Sequence, residues 1–494
     1  MALTALILLP FLGGFAALWG RRLLGRDGER WATVAFLAAT LLVTAGAALA
    51  GALLGAEDAR WLAFHRSDWA PSFGIQVLLA MDGLSAALLA VSAGLGLIAV
   101  FVSWHENRRA PLFNACIAWT VAASNGVFLS FDLLILAFFW ELMMVPAFIL
   151  IALWGHGDRE MAALKFLVFN AVAGLGLLAA VFWMGATSDP VTFDAFVLAE
   201  AGYGGGAQIL LLLGFALAFI VKLPAPPFHA WLPDAHTQAP TAGSILLAGL
   251  LLKTGAYGLF RFPPLLFPQG LEALAPWGMA LGAFGVIYGA ILACGQFDAK
   301  RIVAYTSVAH MSIVLMGVCG GVHFALMGAG VEMIAHAFSS SALFLLIGAL
   351  QHRTGTRDLR ELGGLQKTAP GFATAFALFF AAALAMPGTA NFLGEALVIT
   401  GMFQVNWLWA AIALVSLVVS VIYATRLIHG IVFGEPKSET AVRRDLTRNE
   451  LIPVAALGLA TILFGLFPQF LMGALGGAVD AALAPLEPLA RDAP

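Results

Sequence analysis

Apolar runs of about twenty residues recur from Ala2 to Leu475 with only short polar stretches between them, which makes lipid the solvent in which this chain must fold. No soluble core could hide them. Hydrophobic residues make up 61% and charged residues 11% of the 494 positions, far from the balance of a water-soluble globule. The runs are rich in Leu, Ala, Phe and Gly and lack period-2 alternation. That predicts helices and excludes an outer-membrane barrel, whose strands alternate over about 10 residues. The expected fold is an all-α polytopic membrane protein of about 14 transmembrane helices, over 2–19, 31–54, 78–103, 111–130, 131–153, 162–186, 207–233, 242–262, 272–294, 302–320, 322–350, 370–404, 407–434 and 450–475.

Charge supports this count and removes other classes of function. The net charge of -3 is scattered over connecting stretches and forms no basic stripe, so a nucleic-acid partner is excluded and the lipid bilayer is the partner expected. Eighteen basic residues, from Arg21 to Arg448, fall on odd-to-even connections, against Arg60, Arg66, Arg261 and Arg491 on the opposite side. The positive-inside rule then puts both termini outside the cytoplasm. Cys116, Cys294 and Cys319 stand singly in apolar runs, as core cysteines do, with no disulfide or metal spacing. The first run has no basic n-region or cleavage signature, so it reads as a retained span.

Two spans must break. Span seven contains Lys222-Leu-Pro224-Ala-Pro226-Pro227, and span twelve contains Met386-Pro387-Gly388-Thr389-Ala-Asn391 ahead of Glu395. Each proline removes a backbone donor and clashes with the preceding turn. The two spans are five apart and therefore cross the bilayer in opposite directions. This suggests two inverted five-helix repeats, each with a broken helix: 111–262 (helices 4–8) and 272–434 (helices 9–13), preceded by helices 1–3 in 1–110 and followed by helix 14 and a tail in 450–494. Matching broken helices in inverted halves point to an ion pathway.

Ionisable groups at membrane depth cost roughly 2.5–3.5 kcal/mol each even on insertion scales, so they need a reason. Glu141 lies deep in span five, Lys222 just before one break, Lys253 in the middle of span eight and Glu395 just after the other break. Glu141 and Lys222 could merely be a buried pair that fixes packing. Such pairs add little stability, however, and a lysine whose proton affinity is pulled both ways by burial and a carboxylate is suited to switching protonation. Lys253 sits in a helix read as continuous, with no acid near it in sequence. Glu395 could simply cap a half-helix. His310 and His336 in apolar spans, each ordinary as a packing residue, together would link Lys253 to Glu395 as a proton relay. Glu332, one turn before His336, is left without a role. His229 and His236 flank Asp234 at the cytoplasmic end of span seven, where proton entry at His229 or loop packing is favoured over a metal site because no fourth ligand or helical i, i+4 spacing supports one. No phosphate loop, cysteine cluster or paired haem ligands occur in the sequence, so no cofactor or metal is expected in this chain.

Phe138-Phe-Trp140-Glu141-Leu-Met-Met-Val-Pro146, Val221-Lys222-Leu-Pro224, Phe228-His-Ala-Trp231-Leu-Pro-Asp234-Ala-His236-Thr-Gln-Ala-Pro240, Lys253-Thr-Gly255 and Lys300-Arg-Ile-Val-Ala-Tyr305-Thr-Ser307-Val-Ala-His310-Met together resemble the antiporter-like membrane subunits of respiratory complex I (proton-translocating NADH:quinone oxidoreductase) and of Mrp-type Na+/H+ antiporters, over essentially the whole chain. In complex I the subunits called L and N are expected to carry lysine at the broken twelfth span, and a third kind glutamate. Glu395 and the short carboxy-terminal segment match the third kind. The resemblance implies a non-redox subunit of a bacterial inner-membrane enzyme, moving protons beside L and N while NADH, flavin mononucleotide, iron–sulfur clusters and quinone act in partner subunits. It also implies that Glu141 with Lys222 forms the coupling pair, Lys253 the central relay and Glu395 the terminal group. A Mrp-type antiporter or a membrane subunit of an energy-converting hydrogenase are the alternatives within the same resemblance.

Overall fold

The computed structural model describes residues 1–54, 60–437, 442 and 444–486. Arg443, Arg491 and the last residues of the 450–494 segment lie outside that set. Helices α1 (Ala2–Leu24), α2 (Gly28–Leu54), α3 (Gly83–Val102) and α4 (Ala110–Leu129) make the first four crossings, and α5 (Leu133–Leu142) with α6 (Met144–Trp154) the fifth. The sixth is α7 (Arg159–Thr187), followed by the short α8 (Ala195–Ala201). The seventh is α9 (Gly205–Lys222) continued by α10 (Trp231–Gln238), and the eighth is α11 (Thr241–Leu246) with α12 (Leu252–Leu266). Then come α13 (Pro268–Cys294), α14 (Ala299–Gly320) and α15 (His323–Thr354). After the short α16 (Leu365–Thr368), α17 (Pro370–Ala383) and α18 (Ala390–Val405) form the broken twelfth crossing, and α19 (Trp407–Ile431), α20 (Arg448–Leu466) and α21 (Pro468–Leu483) end the chain. The fourteen crossings expected from sequence are all present, since thirteen stretches are long and apolar enough to span and α17 with α18 supplies the remaining one.

Several boundaries differ from the sequence reading. Span three does not begin at residue 78: β1 (Ala63–Ala70) and β2 (Ile75–Met81) form an antiparallel hairpin, and the helix starts only after Asp82, whose carboxylate accepts from Ser85 N. Span fourteen ends at Leu466, and α21 follows as a separate helix beginning with Pro468, a residue suited to a first turn. Span five is interrupted at Met143. Span eight, read as continuous, contains a π-helical turn over Leu247–Leu251 that closes with Leu252 N bonded to Leu247 O. Nor are all the basic residues assigned to connections found there. Arg261 is buried in α12 and ion-paired with Asp82, and Lys300 is buried with Nζ donating to Ala239 O at 2.9 Å.

The two breaks share one backbone pattern. At the first, Leu223 N bonds Phe219 O, Ala225 N reaches back five residues to Ile220 O, and Phe228 N bonds Ala225 O. At the second, Leu384 N bonds Phe380 O, Met386 N reaches Ala381 O, and Thr389 N bonds Met386 O. Bridged aspartates recur with nearly the same separation, 62 residues in the first pair and 60 in the second. Asp132 starts α5 and bridges to Asp194, while Asp298 starts α14 and bridges to Asp358. Two inverted repeats would produce this correspondence.

Two helices form the axis on which the site is built. The apolar windows of α11–α12 and α15 are 100% and 94% buried, whereas α2 and α20 present most of their surface outward. Small residues let backbones meet where packing, and not water release, drives association. A Cβ on Gly255 would lie 2.6 Å from Phe219 O, and one on Gly328 would lie 2.7 Å from Gly394 O, so α12 seats against the break of α9 and α15 against α18.

Candidate functional site

Lys253 owes its position to the π turn. One extra residue in the turn before it widens the helix, and Lys253 Nζ donates to Ala248 O at 2.7 Å. The same nitrogen lies 2.6 Å from His336 Nδ1 on α15. A protonated lysine has only donors, so this ring nitrogen must accept and the imidazole proton sits on Nε2. The His336 ring stands 5.5 Å, centre to centre, from that of His310 on α14. His310 Nδ1 in turn lies 2.9 Å from Glu395 Oε1 on α18 and 3.5 Å from Glu332 Oε1 on α15. The contact with Glu395 is close in charge but off the line of a hydrogen bond, so a small rotation makes or breaks it. Four side chains expected from sequence therefore do meet, in the spatial order Lys253, His336, His310, Glu395. Chain order had the two histidines reversed.

Beyond Glu395, a cavity of about 10 Å³ lined in part by His310, Glu395, Ser420 and Tyr423 has room for about one water. The donor atoms of His310, Glu332 and Glu395 lie within 4.8 Å of one another, a spacing that could surround one small cation. Lys253, whose electrostatic partner is Glu332, brings a positive charge toward the same cluster.

The other expected residues are arranged differently. Lys222 is fully buried at the last turn of α9, and Glu141 is half-buried on α5. They feel each other's charge but make no direct ion pair among the described residues. Lys222 Nζ sits 4.7 Å over the Trp140 ring instead, a cation–π contact. Trp231 Nε1 donates to Val221 O at 2.9 Å and satisfies a carbonyl freed by the break. Glu141 stands at the rim of an apolar cavity of about 800 Å³ lined by Ile7, Val77, Leu79, Ile135 and Phe138 among others. His229 joins neither group; its ring packs edge-on against Tyr288 at 5.2 Å. His236 stacks on Phe344 at 4.4 Å, and Asp234 is held by Lys165 at 2.6 Å and Arg301 at 2.5 Å, so these three residues do not converge on a metal.

Glu332 and Asn391 were not placed in the site from sequence, although a signal was present. Asn391 precedes Glu395 by four residues just as Glu332 precedes His336, so each pair shares a helix face. The two faces meet where Asn391 Nδ2 donates to Glu332 Oε1 at 3.1 Å.

Residues 130–422, more than half of the chain and with Glu141, Lys222, Lys253, His310, Glu332, His336 and Glu395 among them, match the family described as NADH:quinone oxidoreductase/Mrp antiporter, TM. The chain belongs to this family. Among its relatives, NADH-quinone oxidoreductase subunit M of Pseudomonas aeruginosa is 42% identical over 95% of each chain, and subunit M of Escherichia coli K12 is 40% identical over the same share. Subunit M is neither L nor N, in keeping with the third kind that the resemblance assigned on Glu395. A chain of respiratory complex I from Thermus thermophilus with bound NADH has the same fold, with a TM-score of 0.88 at 29% identity, covering 98% of this chain and all of that one. This is an antiporter-like, multi-pass membrane subunit.

Proposed function

We propose that this chain translocates protons in the membrane arm of a bacterial NADH:quinone oxidoreductase, driven by electron transfer in partner subunits. The observation that carries the reading is the 2.6 Å contact of Lys253 Nζ with His336 Nδ1, which opens a buried polar chain ending at Glu395. A proton leaving Lys253 binds His336 Nδ1, and the proton on His336 Nε2 departs toward His310, so the imidazole passes a charge without carrying the atom across. His310 then protonates Glu395 from Nδ1, and the group faces the small cavity by Ser420 and Tyr423. A charge change at Glu141 or Lys222 alters the field at Lys253 and sets when the transfer runs; Gly255 keeps the Lys222 end of α9 against α12.

This chain holds no redox centre in that scheme. NADH, flavin mononucleotide, iron–sulfur clusters and quinone belong to partners, with the L and N subunits as neighbours. The excess of basic residues on odd-to-even connections supports a topology with both termini on the periplasmic side of the inner membrane. Replacing Lys253 by Met in the whole complex is expected to abolish proton pumping coupled to NADH oxidation. An assembled Lys253→Met complex that pumps with wild-type stoichiometry in proteoliposomes overturns the proposal.

A further inference from the structure

Glu332 is fully buried on α15 at the centre of the second half of the chain, and the relay just described does not use it. Its Oε1 approaches His310 Nδ1 to 3.5 Å, while Glu395 Oε1 approaches the same nitrogen to 2.9 Å from the opposite helix. Asn391 Nδ2 bonds the Glu332 carboxylate at 3.1 Å, whereas Glu332 Oε2, Glu395 Oε2 and Asn391 Oδ1 have no hydrogen-bond partner among the described residues. Glu332 lies directly against the α18 backbone at Gly394, where a Cβ would come within 2.7 Å of Glu332 Oε2. Charged or titratable groups facing Glu332 come from α14 (His310), α18 (Glu395), α12 (Lys253) and its own helix (His336).

Two carboxylates converging on one imidazole nitrogen inside a buried bundle repel each other if both are ionised, and the repulsion is relieved when they hold one proton between them. We infer that Glu332 and Glu395 form a proton-sharing acid pair across His310, making Glu332 a second proton-holding residue at the end of the relay. His310 Nδ1 delivers the proton to whichever carboxylate is ionised. The proton crosses from Glu332 to Glu395 by way of the same imidazole, and Glu395 releases it toward the cavity by Tyr423. Each transfer moves one proton, with no other reactant. The pair lets the terminal site stay loaded when Glu395 discharges, whereas a single carboxylate would wait for Lys253. This inference rests on the relay reading.

The test uses the intact, reconstituted complex. Glu332→Gln keeps the shape of the side chain and an oxygen that can accept from Asn391, and replaces the titratable carboxyl by an amide that can neither ionise nor hold the shared proton. It is expected to lower the protons pumped per NADH by about 10-fold or more and to abolish the deuterium-sensitive carboxylic-acid C=O band in infrared difference spectra, because Glu395 alone then ionises against His310. Glu332→Asp should retain that band, shifted, and recover pumping; this variant also decides the matter if the glutamine form does not assemble. A carboxylic-acid band unchanged in Glu332→Gln, or in its absence lost in Glu332→Asp, overturns the shared proton. Lys253→Met separates the two levels of argument, since continued pumping there sinks the relay itself, whereas loss of pumping there together with a normal Glu332→Gln sinks the acid pair alone.

Discussion

Lys253 Nζ and His336 Nδ1, 83 residues apart in sequence, stand 2.6 Å from each other with both side chains sealed from solvent. The lysine keeps a second acceptor, Ala248 O, so its burial does not depend on His336 alone. His336→Ala is therefore expected to leave the complex assembled and to lower coupled pumping by about 10²-fold, the lower end of general acid–base contributions. The check is the ΔpH formed per NADH oxidised in proteoliposomes. Pumping within twofold of wild type would remove His336 from the path.

The π turn makes a separate demand. Deleting Leu250 converts Leu247–Leu251 to regular α-helix and turns one flank by about 100° relative to the other. Lys253 then faces away from His336 or the Thr241 end rotates out of its packing. We expect an assembled fraction with inactive proton transfer, and intact transfer in a stable deletion variant would show that the turn is incidental.

Glu141 shares its space with Gly174 on α7, where an added methyl would run into the carboxylate. Because the obstacle is the end of a flexible side chain, Gly174→Ala should fold and push the carboxylate aside. The expected outcome is a normal amount of complex with pumping reduced several-fold, measured against Gly176→Ala, whose Cβ meets no atom closer than 3.3 Å. Equal pumping by both variants would separate Glu141's exact placement from coupling.

Asp82 and Arg261 form a buried ion pair, with Asp82 also capping α3 and the guanidinium 5.4 Å from the Tyr257 ring centre. Asp82→Ala leaves a buried, uncompensated cation and is expected to cost about 3–5 kcal/mol. It should prevent accumulation of the subunit in membranes, while Asp82→Leu combined with Arg261→Met should restore much of it. Immunoblotting of membrane fractions reads both outcomes, and a well-accumulating Asp82→Ala chain would contradict the estimate.

Sequence alone determined the class of fold, the number of crossings, the two broken spans and the identity of the charged residues, because lipid imposes a fixed apolar length and the prolines clustered at Pro224–Pro227 and the Pro387-Gly388 pair remove backbone donors in mid-span, whereas single prolines such as Pro10 and Pro276 leave their helices continuous. The features it missed arise between helices. Periodicity could not orient α15, since a helix apolar and buried on almost every side has no face to mark which neighbour His336 or Glu332 will meet. The π turn before Lys253 contains Gly249 but no proline to announce it, and Lys222 packs over Trp140 instead of meeting Glu141 directly, a choice of partner that sequence spacing does not contain. Only the packing of α12, α14, α15 and α18, set by backbones that approach closely at Gly255 and Gly328, decided which of the stranded charges touch. That packing is what places Lys253 against His336 and brings Glu332 to the same imidazole as Glu395.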